Sequence, residues 1–290
     1  VPQRDRHGLL WLARGQLYVS DGTLRFRCAG FIDLEPGDYA IPYQLVTCLI
    51  LQPGTSLTHD VLRLCASHGT GIIAVGEGGT RFFASAPAGP NESARARRHA
   101  RLWADESARL ATARRMYAIR LGEVFPRADI AVLRGMEGAR MKETYKRLAA
   151  QYQVAWRGRR YDRDNPEAAD LANQAINHVV TAVEATAMIA VAVTGAIAAL
   201  GFIHEDPARS FTLDITDLFR DTVTLPVAFT AAKEAERRPD ENIERIARRL
   251  AAKTLRQKKV VLTMIDRIKD LIDGNDPPKR DSEDEVPSCR

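Results

Sequence analysis

GFIHEDPARSFTLDITDLFRD, residues 201–221, closes a long apolar run and opens the segment where the chain concentrates its chemistry. From Ala185 to Ile203 no residue is charged, nominally enough length to cross a bilayer. The run is rich in Ala, Gly and Thr, nearly lacks leucine, and leads straight into His204 and Glu205. It therefore reads as a helix buried at the centre of a bundle, with no membrane span. Pro207 enforces a break, and a helix over 214–221 then carries Asp214, Asp217 and Asp221. Their i, i+3, i+7 spacing places them on one helical face. Aspartate is a weak helix-interior residue, so three on one face need a reason. An imidazole facing carboxylates suits a divalent cation such as Mg²⁺ or Mn²⁺. Acids complementing a helix dipole are the plainer alternative.

Outward from this segment the chain reads as α+β, a small N-terminal β-rich domain followed by a larger all-helical domain. Residues 1–86 hold β-rich runs at 9–13, 16–20 and 23–27, and Asp21-Gly22 between the last two is a hairpin signal. Further strands are expected at 44–51, 71–75 and 80–84. One short helix lies between Thr58 as N-cap and Gly69 as stop. His59 and His68 fall in cap or loop contexts and read as surface residues. APAGPNES, 86–93, is a linker by composition, with the boundary set at 87–93. The helical domain, 94–273, is expected as helices at 94–121, 129–153, 167–200, 214–221, 225–237 and 242–271. Residues 274–290 are polar and proline-containing and read as a disordered tail.

The totals fit a globular chain of one or two domains: 290 residues, 45% hydrophobic, 42 basic against 37 acidic residues. Arginine dominates the basic set and concentrates in 95–163 and 233–269. Arginine is suited to bidentate phosphate contact, so nucleic acid is the expected partner, against a merely solvated helical surface. Cys28, Cys48, Cys65 and Cys289 have neither C-x-x-C pairing nor zinc spacing. No signal peptide is read near the N-terminus, which makes a reducing cytoplasm the expected compartment. Opening on Val1 suggests a processed or trimmed chain.

A partner carboxylate for His204 and the aspartates is Glu137, set between Gly135 and Gly138 in an otherwise strong helical pattern. Two such glycines cost about 1 kcal/mol each relative to alanine. They make sense if backbone or substrate approaches closely there, or if two helices pack tightly. A Glu/His/Asp site drawn from separate helices is then coherent.

LRGMEGARMKETYKRLAAQYQVAWRGRRYD (133–162), followed by GFIHEDPARSFTLDITDLFRDTVTLP (201–226), resembles the CRISPR adaptation integrases. The form found in type I-E systems is the most similar. ILQPGTSLTHDVLRLCASHGTGIIAVGEGG (50–79) shares the resemblance, which runs from about residue 9 to 271. It implies a β domain on a helical domain holding Mg²⁺ or Mn²⁺. It also implies a homodimer, and a 4:2 complex with a small ferredoxin-like adaptation subunit. That complex inserts captured foreign DNA into the repeat array. The implied metal ligands are Glu137, His204 and Asp217, with Asp214 beside them. The implied DNA contacts are Tyr161, Arg63, Arg81 and Arg220, the last standing where the best-known members carry lysine. Arg14 replaces a tyrosine that brackets the duplex end, Ser56 a basic residue and Glu184 an aromatic one. The implied reaction is attack of a DNA 3′-hydroxyl on a phosphodiester, with hydrolysis of branched DNA when water replaces the hydroxyl. A stand-alone structure-selective nuclease and a non-catalytic DNA-organising scaffold are the rival classes.

Overall fold

The computed structural model describes residues 8–30, 34–85, 93–160 and 169–274. Tyr161, residues 86–92 of the expected linker and the tail from 275 lie outside them.

The N-terminal part is strand-rich. β1 (Leu9–Leu12), β5 (Cys48–Leu51), β7 (Gly71–Val75) and β8 (Phe82–Ser85) form one sheet in that order, parallel except for β8. β4 (Gly37–Ile41), β3 (Thr23–Cys28), β2 (Gly15–Ser20) and β6 (Thr55–Leu57) form the other, in which only the β2–β6 pair is parallel. Asp21 and Gly22 both take positive φ, 50° and 72°, as a type I′ hairpin turn requires. The expected strand at 44–51 shrinks to its last four residues, because Tyr43–Leu45 forms a 3₁₀ turn behind Pro42. The strand expected at 80–84 is displaced to Phe82–Ser85. α1 (His59–His68) follows Thr58 and stops at Gly69 in the left-handed region.

The CLIL run of β5 is buried throughout because its two faces serve different cores. Leu49 and Leu51 join Leu17, Phe26 and Val61 between the sheets and α1. Cys48 and Ile50 join Ile73, Val75 and Ile189 of the helical part. One strand thus fastens the sheets to the bundle.

The helices are α2 (Ser93–Ala104), α3 (Glu106–Leu121), α4 (Ile130–Gln151), α5 (Leu171–Thr194), α6 (Ser210–Asp217), α7 (Leu225–Arg237), α8 (Ile243–Gln257) and α9 (Val260–Asp273). α5 is the hub, packed against α6, α7, α8 and α9. It is apolar on nearly every side, as a helix enclosed by others must be. By length and composition alone it could cross a membrane. Its alanines, such as Ala182, Ala187 and Ala190 at 0–1% exposure, instead let neighbouring helices approach closely.

Three expected helices are corrected. The 94–121 helix breaks at Asp105, whose carboxylate caps α3 by accepting from the Ala108 N–H at 2.7 Å. The 242–271 helix breaks at Lys258–Lys259, where Lys259 takes φ 50°. The 214–221 helix ends at Asp217, and Arg220–Thr224 is a π-helical turn leading into α7. Pro226, at the start of α7, has no N–H to give the Thr222 carbonyl. Lys258 Nζ reaches that carbonyl at 3.3 Å. The regular helix that carries Asp214 and Asp217 therefore stops short of Asp221, which stands in the π turn.

Candidate active site

The site is assembled where the loop between α5 and α6 crosses the ends of α3 and α4. α2 holds that loop from behind. His99 Nε2–H donates to the Leu200 carbonyl at 2.8 Å, and its Nδ1 accepts from the Ile197 N–H at 3.2 Å. Trp103 Nε1 donates to the Gly201 carbonyl at 3.0 Å. Both ring nitrogens of His99 are thereby committed, which fixes a neutral tautomer. The ring stacks on Phe202, centroids 5.2 Å apart, and meets Phe211 at a tilt, centroids 4.4 Å apart. Burial pushes its pKa down to about 4.

This gives a pH prediction. Below pH about 6.5 the unfolded imidazole takes up a proton that the folded one refuses until about 4, so stability falls with pH across that window. Denaturant melts at pH 7 and 4.5 should show a loss of roughly 2 to 3 kcal/mol from this group. His99→Gln, neutral at both values, should lose correspondingly less. Equal pH slopes in the two proteins would show that the ring is not the group responsible.

Gly201 is required by close approach. A Cβ there would meet Ser210 Cβ at 2.5 Å and the His204 carbonyl at 2.7 Å. The tight turn lets Asp214 of α6 collect three consecutive main-chain N–H groups. Oδ2 accepts from Phe202 and Ile203 at 2.6 and 3.1 Å, and Oδ1 from His204 at 2.9 Å. Oδ1 also faces His204 Nδ1 at 2.7 Å. Asp214 is 1% exposed. Its hydrogen bond is the main cause that raises the His204 pKa above the usual value, opposed in part by burial. With Nδ1 tied to Asp214, Nε2 turns to Asp217 Oδ2 at 3.6 Å.

Glu137 reaches the same place from α4, where it continues the buried stripe Leu133, Met141, Thr144 and Leu148. Among the described residues neither flanking glycine packs against anything: a Cβ at Gly135 or Gly138 would meet nothing within 4 Å. Close packing by another described helix of this chain is therefore not why they are glycines, and the surface over both is open.

Two arginines complete the cluster. Arg220 Nη2 lies 2.5 Å from Asp217 Oδ1. Arg120 of α3, with a side chain 7% exposed, forms an ion pair from Nη2 to Glu137 Oε1 at 2.5 Å and donates from Nη1 to Asp217 Oδ2 at 3.4 Å. Glu137, His204, Asp214 and Asp217 thus share one site, but Glu137 joins it through Arg120 rather than directly. Among the described residues no three His, Cys, Asp or Glu groups stand close enough to hold one metal ion. The donor chemistry fits a hard or borderline cation: two carboxylates, and an imidazole whose second nitrogen is oriented by a carboxylate.

Of the other expected contacts among the described residues, only Arg220 is at this site. Arg63 is exposed on α1 and pairs with Asp60 at 3.2 Å. Arg81 bridges to Glu244 of α8 at 2.7 Å. Arg14, at φ 53°, lines with Arg81 a broad cleft between the sheets and α8–α9, where Arg245, Arg248 and Lys253 also lie. Ser56 is exposed, and Glu184 pairs with Arg209 at 2.6 Å. The sequence reading missed His99, Trp103 and Arg120. The i, i+4 spacing of His99 and Trp103, and the alignment of Arg120 with buried Ala113, Met116 and Tyr117, were the available signals.

The family model described as CRISPR associated protein Cas1 matches residues 118–265, which include every residue of this cluster. A protein of Escherichia coli (strain K12), named CRISPR-associated endonuclease Cas1, is 35% identical over 99% of this chain and 92% of its own length. The chain belongs to the Cas1 family. A Cas1 protein of Geobacter sulfurreducens under the same name is 33% identical over 99% of this chain and 93% of its own length. Among solved structures, "Crystal structure of TtCas1-DNA complex" superposes with a TM-score of 0.83 at 32% identity. It covers 93% of this chain and 98% of that one. "Casposase bound to integration product" superposes at 0.64 with 14% identity, covering 92% and 96% respectively, a likeness of fold alone. The strand-rich N-terminal part and helical C-terminal part are those of the Cas1 fold.

Proposed function

We propose that this chain is a metal-dependent DNA integrase of CRISPR adaptation, of the type I-E form. It joins the 3′-hydroxyl of captured DNA to a repeat phosphodiester and hydrolyses branched DNA as a side activity. The carrying observation is the convergence of Glu137, His204 and Asp217 from α4, the α5–α6 loop and α6, with Asp214 fixing the imidazole. The relatives' naming as endonucleases and the DNA complex of a 32% identical neighbour support it. On this reading the chain works as a homodimer, four copies joining two of a small ferredoxin-like subunit.

Mg²⁺ or Mn²⁺, held by Glu137, His204 and Asp217, would polarise the phosphoryl group and favour the deprotonated hydroxyl. The chain's own residues prepare that place. Asp214 directs the proton of His204 to Nδ1, leaving Nε2 a neutral donor. Arg220 balances Asp217 at the site's edge. Arg14, Arg63 and Arg81 would meet phosphates, fixing register without reading bases. The open flank at Gly135 and Gly138 gives the DNA backbone room beside Glu137. The test is strand transfer with a labelled duplex, a repeat-bearing plasmid, the purified small subunit and Mn²⁺ or Mg²⁺. Joined product that disappears with chelator is expected. Cleavage without joining in the complete mixture would favour a stand-alone nuclease.

A further inference from the structure

Arg120 holds together the two carboxylates assigned to the ion. Its guanidinium lies 2.5 Å from Glu137 Oε1 and 3.4 Å from Asp217 Oδ2, the same oxygen that His204 Nε2 faces at 3.6 Å. Its side chain is 7% exposed, against 17% for Glu137 and 10% for Asp217. Two carboxylates this far out of water repel each other and need a counter-charge. Ligands of one such ion stand about 2.0–2.2 Å from it, so the three donors must draw within roughly 3 Å of one another. A guanidinium inserted between Glu137 and Asp217 prevents that approach. The two cations therefore compete for the same pair of oxygens.

We propose that Arg120 is a positioning residue that occupies the cation's place in the ion-free protein, keeping Glu137 and Asp217 in register, and yields it when the divalent ion binds. This rests on the metal reading given above. It differs from a residue that merely holds the ligands in place from behind, which would strengthen ion binding, because a placeholder opposes it.

The experiment compares the full chain with Arg120→Gln and Arg120→Lys, measuring Mn²⁺ affinity by calorimetry and Tm with and without Mn²⁺. Arg120→Gln should melt lower than the parent without Mn²⁺ and recover most of that difference when saturated. Its Mn²⁺ Kd should fall by about tenfold, within the span of ordinary coupling between two competing ligands. Arg120→Lys, whose ammonium cannot bridge both carboxylates, should shift the same way by less, and it serves if Arg120→Gln fails to fold without Mn²⁺. Unchanged or weaker Mn²⁺ binding by both variants, with tight binding by the parent, overturns the placeholder and leaves the metal site standing. No Mn²⁺ binding by any of the three proteins overturns the metal reading itself.

Discussion

Glu137→Ala and His204→Ala should each abolish strand joining while leaving DNA binding intact. The expected loss is about 10³-fold or more, the rate equivalent of roughly 4 kcal/mol of lost charge stabilisation at the transferring phosphate. Binding should survive because contact with DNA is dominated by phosphates met by many arginines across both parts of the chain. Glu137→Ala removes a negative charge from the site and should, if anything, tighten binding at low salt. It also leaves Arg120 without its nearer partner, since the 3.4 Å contact to Asp217 alone remains. Glu137→Gln, which keeps an acceptor for the guanidinium, separates chemistry from folding. Equal Tm with no joining in Glu137→Gln places the loss in the reaction. Full joining by either alanine variant, in a gel-based strand-transfer assay with bound DNA measured in parallel, would sink the assignment.

Much of this site was legible because its signals are local. The charge-free run before His204 announced the hub helix, and the Gly-Glu-Gly and His-to-Asp spacings announced which side chains face it. Errors arose where a local cap or a distant partner outweighed periodicity. The arginine-rich pattern continues through Asp105, yet its carboxylate accepts the Ala108 N–H and starts a new helix. The spacing of Asp214, Asp217 and Asp221 is sound for an unbroken helix, but the regular helix ends at Asp217 and a π turn over 220–224 follows. β4 and β6 went unread: one begins with the weak strand formers Gly37 and Asp38, and the other is three residues paired across the chain with β2. Arg120 was one arginine among many on its helix. Only the arrival of Glu137 from α4, and of Asp217 from 97 residues away, makes it a buried bridge. His99 was hidden likewise, in a run of arginines, because the rings it packs against, Phe202 and Phe211, lie more than a hundred positions downstream.

Asp214→Asn is expected to cost stability and ion affinity together, for one geometric reason. The native carboxylate accepts from four donors and presents no hydrogen of its own. An amide must turn its NH₂ towards one pair of them. Facing Phe202 and Ile203, it would oppose two main-chain N–H groups that have no other acceptor, a loss of about 2 kcal/mol or more. Facing His204 instead, it still opposes that residue's N–H, but the imidazole can adapt by moving its proton to Nε2 so that Nδ1 accepts. This is the cheaper arrangement, and it removes the lone pair that the proposed ion needs. Mn²⁺ affinity and strand joining should therefore fall by about 10- to 100-fold, the usual penalty for losing a ligand's orienting partner. Asp214→Ala, which strands all three N–H groups in a buried turn, should lose roughly 3 to 5 kcal/mol and fold poorly. Nitrogen-15 NMR of the His204 ring reads the tautomer directly, independently of activity. A ring that keeps its proton on Nδ1 in Asp214→Asn, with Mn²⁺ bound as tightly as in the parent, would refute the orienting role.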